Sequence, residues 1–278
     1  MEELIYLGTG AAMNTDCFTT ALLLRDGLKG RHFLMDTGGG NGILHRLRQA
    51  DIPPEAITDV FISHHHTDHI LGAPWLMRLS GHGKQRHPDW PPLHIYGSPA
   101  LLDTLMAVCR PILPSSVLDM IGSHIRLVPV ESGTTCPIGP WQVTFFDIGA
   151  AKVEQYGCQI RLQTGERLVY LGDEPLRAPG MPYAREADYL IHEAYIAHPG
   201  EGRFSPKSIG HSTVAEAAAN ARDAGARHLI LFHSGLDATP TRRQDYISLA
   251  RETFTGEISA PNDLDSLFFE HRPKENHQ

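Results

Sequence analysis

The chain has 278 residues, a formal net charge of −8 and 41% hydrophobic residues, enough apolar material for a sizeable core. Its acidic balance argues against a generally basic nucleic-acid-binding surface. No apolar run approaches a membrane span, and Met1-Glu2-Glu3 lacks the basic start of a signal peptide.

No Pro/Gly/Ser linker, low-complexity tract or long charge run divides the chain, so residues 1–278 are read as one domain. Cys17, Cys109, Cys136 and Cys158 are scattered without a C-x-x-C and read as free thiols in a reducing cytoplasm. In chain order, short apolar strands are predicted over residues 4–7, 20–24 and 32–35, parted by Gly-rich turns. A helix over 41–50 closes before Pro53-Pro54. Strand signals return at 60–63 and 93–96, and a helix follows over 99–109. Consecutive strands are expected at 125–130, 142–146, 158–162 and 167–171. The helix over 213–224 is signalled by Thr213 with Glu216 three residues on, an alanine-rich body and Gly225 at its end. A buried strand at 229–232 and a helix at 243–254 complete the pattern. Runs of strands with helices that must cover them imply two sheets face to face with helices outside. The polar stretch 78–92, with Lys84, Arg86, His87 and Trp90, reads as a solvated loop or as a lid over an anionic ligand.

The segment Phe61-Ile62-Ser63-His64-His65-His66-Thr67-Asp68-His69 carries the chemistry. His64, His66, Asp68 and His69 follow an apolar run. In extended backbone alternate side chains point the same way, so His64 and His66 can grip one ion together. A turn into a helix would throw Asp68 and His69 toward a second ion. Imidazole with carboxylate suits zinc, iron or manganese. A solvated His-rich loop is the plain alternative. Downstream, Asp173 follows the apolar run 168–171 across Gly172, and His233 ends the run 229–232, so each stands at a strand's C-terminal edge.

In these motifs the chain resembles the metallo-β-lactamase superfamily, and within it the ribonuclease Z-like branch. Leu7-Gly8-Thr9-Gly10-Ala11-Ala12 looks like the opening strand and loop, and Met35-Asp36-Thr37-Gly38 like the aspartate turn behind the metal site. The metal motif is followed by Gly72 and by Leu93-His94-Ile95-Tyr96-Gly97. Tyr170-Leu171-Gly172-Asp173, His192-Glu193-Ala194, Gly210-His211-Ser212-Thr213 and Leu231-Phe232-His233 fall in that branch's order. The resemblance implies an α/β fold, the four-layer αββα sandwich. It also implies a dinuclear site of two divalent metal ions, with His64, His66, Asp68, His69, Asp173 and His233 as ligands and Asp173 bridging. Its general acid would be His211, oriented by Glu193, so that Asp68, His211 and Glu193 are the expected catalytic residues. His45, His65, His94, His192 and His228 are read as core or surface histidines.

One departure stands out. Where the branch places a further histidine at a strand end, this chain has Asp147, and no histidine lies between His124 and His192. Zinc is the expected metal; Asp147 as an oxygen ligand would harden the first ion's site and admit manganese or iron, or would loosen that site. Members of that branch usually carry a long tRNA-binding arm between these two positions; here only 25 residues part Asp147 from Asp173, so the resemblance implies a member without the arm. The expected function is hydrolysis of a small anionic phosphodiester such as a cyclic nucleotide, with pre-tRNA disfavoured. Arylsulfatase or other ester hydrolysis, and a metal-binding regulatory role without catalysis, stay open, and a homodimer is compatible with the sequence.

Overall fold

Short apolar strands of the first half, joined by the last strand of the chain, build one sheet, and strands of the second half build another. The computed structural model describes residues 1–27, 30–197, 210–235 and 241–270. The first half runs β1 (Glu2–Gly8), β2 (Ala21–Asp26), β3 (Arg31–Met35), α1 (Gly42–Gln49), β4 (Ile57–Phe61), α2 (Thr67–Ile70), α3 (Ala73–Arg86), β5 (Leu93–Gly97), α4 (Pro99–Ile112), α5 (Ser115–Leu118) and β6 (Ile125–Pro129). The second runs β7 (Thr135–Ile138), β8 (Trp141–Asp147), β9 (Tyr156–Arg161), β10 (Arg167–Tyr170), α6 (Met181–Ala184), β11 (Tyr189–Glu193), α7 (Val214–Ala224), β12 (His228–Phe232), α8 (Arg242–Arg251), β13 (Glu257–Ser259) and β14 (Ser266–Phe269). One sheet has the order β14-β1-β2-β3-β4-β5-β6 and the other β13-β12-β11-β10-β9-β8-β7. The last strand returns to pair antiparallel with β1.

Three apolar clusters account for four layers. Leu24, Phe33, Phe61, Trp141, Phe145, Tyr170 and Phe232 belong to the core between the sheets. Leu23, Leu34, Ile62 and Ile95 pack outward with residues of α1, α3 and α4. On the far side Val169, Leu190 and Leu231 pack with the alanines of α7 and with α8. Strands such as β8 serve two of these cores at once. Trp141, Val143 and Phe145 face inward, while Phe146 and Ile148 face the outer helices. This is the expected αββα sandwich.

Strands β3, β4 and β5 are parallel, as are β10, β11 and β12. The C-terminal ends of such strands are where an open α/β sheet leaves a crevice for chemistry. Thr213 caps α7 with the reciprocal Glu216 bond that its spacing predicts. The segment 78–92 departs from the reading as a loop: most of it is the second half of α3. Glycines and polar residues hid the helix. Gly83 is there because a Cβ would come 2.3 Å from the Trp90 ring that packs on it. All four cysteines are free thiols. Among the described residues no helix is long and apolar enough to cross a membrane.

Candidate metal centre

Five strand ends deliver the site. Asp36 follows β3 with φ 57°, a left-handed conformation that non-glycine residues adopt at a cost, and His233 follows β12 with φ 58°. The motif 63–69 follows β4, Asp173 follows β10 and Glu193 ends β11. His66 keeps extended backbone (φ −66°, ψ 152°) as α2 begins behind it. The side chains of His64 and His66 therefore meet on one side, and those of Asp68 and His69 on the other.

Two groupings share Asp173. In one, His64 Nε2 lies 2.8 Å from His66 Nδ1 and 3.5 Å from Asp173 Oδ1. In the other, His69 Nε2 is 3.4 Å from Asp68 Oδ2 and 3.5 Å from Asp173 Oδ2, and His233 Nε2 is 3.3 and 3.6 Å from the same two oxygens. Donors about 2.0–2.1 Å from a tetrahedral cation stand roughly 3.3 Å apart, so the separations from the Asp68 and Asp173 oxygens are those of groups placed around an ion. His69 Nε2 is buried with no hydrogen-bond partner, although it faces two carboxylates. All four residues of this second grouping are buried, whereas His66 is exposed. These residues can hold metal.

Asp36 fixes the frame behind them. Its carboxylate, fully buried, accepts from Ser63 N and Ser63 Oγ at 2.7 Å each, from His69 Nδ1 at 2.7 Å and from the Tyr170 hydroxyl. A ligating imidazole is held in this way through its other nitrogen. Ser63 Oγ also meets His64 Nδ1 at 3.0 Å.

Charge follows from burial and these neighbours. Burial pushes the His64 imidazole down to about 3, which keeps it neutral with a lone pair to give. For Asp173 burial favours the neutral acid, but His64, His69 and His233 outweigh it and hold the carboxyl well below its ordinary range. Burial also opposes charge on His69, and Asp36 and Asp68 overcome it, raising that imidazole.

Residues 2–205 match the family described as Anti-Pycsar protein Apyc1. A ribonuclease Z of Pyrobaculum calidifontis is 30% identical over 289 residues, which cover 95% of this chain and 97% of the relative. The chain belongs to the Apyc1 family, in the ribonuclease Z-like branch of the metallo-β-lactamase superfamily. Solved structures of the same fold include the protein YhfI from Bacillus subtilis (TM-score 0.77, 22% identity, 96% of this chain and 98% of that one). The short form of human tRNase Z gives a TM-score of 0.70 at 23% identity over 96% and 98% of the two chains. The family and the buried His/Asp cluster together identify a metal-dependent hydrolase.

A cleft of about 360 Å³ opens over this family's metal motif. It is lined by Met13, His65, Asp68, Tyr195, His211 and His233 among others. His211 donates from Nδ1 to the Asp173 carbonyl at 2.8 Å, and Glu193 Oε2 lies 3.7 Å from the same nitrogen. Glu193, fully buried, also accepts from the Ser212 amide, so it holds the backbone that carries His211. Burial disfavours charge on His211, yet Glu193 and then Asp173 raise its pKa above the ordinary histidine value.

The structure brings together His64, His66, Asp68, His69, Asp173 and His233, with Glu193 and His211 beside them. It does not bring Asp147 to them. Asp147 Oδ1 accepts from Gly149 N at 2.8 Å and its own amide donates to Ser132 Oγ, because β8 ends there in a turn. The side chain beside His64 and Asp173 is instead Gln155, just before β9. A neutral amide in a loop carries no ligand signal, so sequence reasoning missed it. It also missed Tyr195, whose ring stacks on His211 at 4.7 Å and 8°, and His65 in the cleft wall. His192 is structural: it is buried, and its Nε2 accepts from Leu176 N.

Proposed function

We propose that the chain hydrolyses small phosphodiesters, such as a cyclic nucleotide or nucleotide derivative. Two divalent ions would be held by Asp68, His69, Asp173 and His233 and by His64, His66 and Asp173. Bound there, the ions lower the pKa of water and offset charge on phosphoryl oxygens. With Asp147 outside the donor set, the imidazoles and carboxylates that remain suit zinc.

The observation that carries this reading is His211. Its Nδ1 proton is committed to the Asp173 carbonyl, so Nε2 is the nitrogen left for the cleft that His211 lines. The raised pKa keeps that imidazole charged to higher pH, as a donor to a departing alkoxide requires. Tyr195 holds the ring's plane by stacking, and Glu193 holds its backbone and its charge. Met13, 83% exposed, gives the cleft mouth an apolar rim suited to an organic substituent.

Size supports a small substrate over pre-tRNA. Residues 148–172 hold only β9, β10 and their turns, leaving no protruding arm, and the chain is acidic. The deciding experiment is turnover by metal-reconstituted protein of bis(p-nitrophenyl) phosphate, p-nitrophenyl sulfate, a cyclic nucleotide and a pre-tRNA. Cleavage of the first and third is expected. Preference for the sulfate would make it an arylsulfatase, and metal binding without any turnover would make it a regulatory protein.

A further inference from the structure

The two groupings are unequal in donors and in surroundings. The second offers four buried residues, the first three, of which His66 is exposed. Asp147, the last residue of β8, folds onto Gly149, and Ile148 is fully buried in the outer core. The side chain set against His64 and Asp173 is that of Gln155, which is wholly buried. Its Nε2 lies 2.9 Å from His64 Nδ1 and 2.5 Å from Asp173 Oδ1, while its Oε1 has no partner. Gly172 makes this approach possible: it takes φ 75°, and a Cβ there would come 2.7 Å from Gln155 Nε2.

An N–H aimed at a carboxylate oxygen competes with a cation for the same lone pairs. Asp173 Oδ1 is the oxygen nearer His64, so the competition falls on the first grouping. Asp173 Oδ2, which faces His69 and His233, has no such competitor. We infer that Gln155 makes the centre asymmetric, with one ion held tightly by Asp68, His69, Asp173 and His233 and an exchangeable ion at His64 and His66. This rests on reading the cluster as a metal centre, and it names Gln155 as the positioning residue that sets the weaker affinity.

The test is equilibrium dialysis of the full chain against Zn²⁺, with elemental analysis and the Co²⁺ absorption spectrum as readouts. One ion per chain is expected to stay bound while a second binds at least about tenfold more weakly. Gln155→Glu keeps the shape and replaces the N–H with an oxygen, so it should tighten the weak class by about 10–100-fold and leave the tight class unmoved. His66→Ala, at an exposed position, should remove the weak class alone. Should Gln155→Glu fail to fold, Gln155→Leu removes the competing N–H without adding charge and should also tighten the weak class. Two ions of equal affinity in the wild type would overturn the inference and leave the metal centre standing. So would a weak class that loosens or stays unchanged in a folded Gln155 variant. Absence of any bound ion would overturn the metal-centre reading and the inference with it.

Discussion

Asp68, His69 and His233 on one side of Asp173 and His64 and His66 on the other differ by one carboxylate, and the fold also treats them differently. On the first side every donor is buried, and His69 is tied by Nδ1 to Asp36, which also anchors Ser63 and Tyr170. On the other side His66 is exposed, and Gln155 reaches Asp173 Oδ1. The side with Asp68 has one donor more, and burial and the hydrogen bonds behind each donor add to that difference.

The comparison breaks most completely at the residue both halves share. Asp173→Ala is expected to release both ions and reduce hydrolysis to background while the circular dichroism spectrum keeps its native form. Two retained ions with normal turnover would reduce Asp173 to a turn residue.

Next in size is His211→Ala, which leaves both groupings intact. Diesters with poor alkoxide leaving groups should slow by about 10²–10⁴-fold, and p-nitrophenyl esters far less, since that leaving group needs little protonation. Metal content should not change. Equal slowing of both substrates would remove the acid assignment.

Asp36→Ala probes why the better-held half is better held. It strands the Ser63, His69 and Tyr170 donors in a buried site, so urea unfolding should show a loss of about 3–5 kcal/mol. The tight ion should bind about 10–100-fold more weakly. An unchanged tight class would mean that Asp36 supports the fold and not the ion.

A smaller effect concerns pH. The Glu193 carboxylate raises the His211 pKa, so His211 is protonated below that raised value and activity needing its proton falls as pH rises through it. In Glu193→Gln the raising charge is gone, and the alkaline limb of the pH–rate profile should move to lower pH. A limb that stays in place or moves up would assign it to another group.

The smallest expected effect is at Asp147. Its carboxylate accepts from the Gly149 amide within its own turn, so Asp147→Ala should cost about 0.5–1.5 kcal/mol and leave metal stoichiometry as it is. Loss of the weak ion in this variant would restore Asp147 to the ligand set.

The sequence by itself determined the sandwich, because short apolar runs bounded by turns and the capping box of Thr213 and Glu216 are local signals that packing reinforced. The motif of His64, His66, Asp68 and His69 was legible for the same reason: ligands two and four residues apart are placed by the local backbone alone. Asp173, His211 and His233 were legible only as members of an ordered series at strand ends. What only the tertiary structure decided was everything set by contacts across the two sheets. The 78–92 segment is mostly helix, and Gly83 leaves room for Trp90 to pack on it, a contact composition does not announce. Asp147 turns away because a strand's last residue can serve its own turn as readily as a neighbouring sheet. Gln155 lies 91 residues from His64 and 18 from Asp173, and a neutral amide acquires a role beside a metal site only when folding buries it against both.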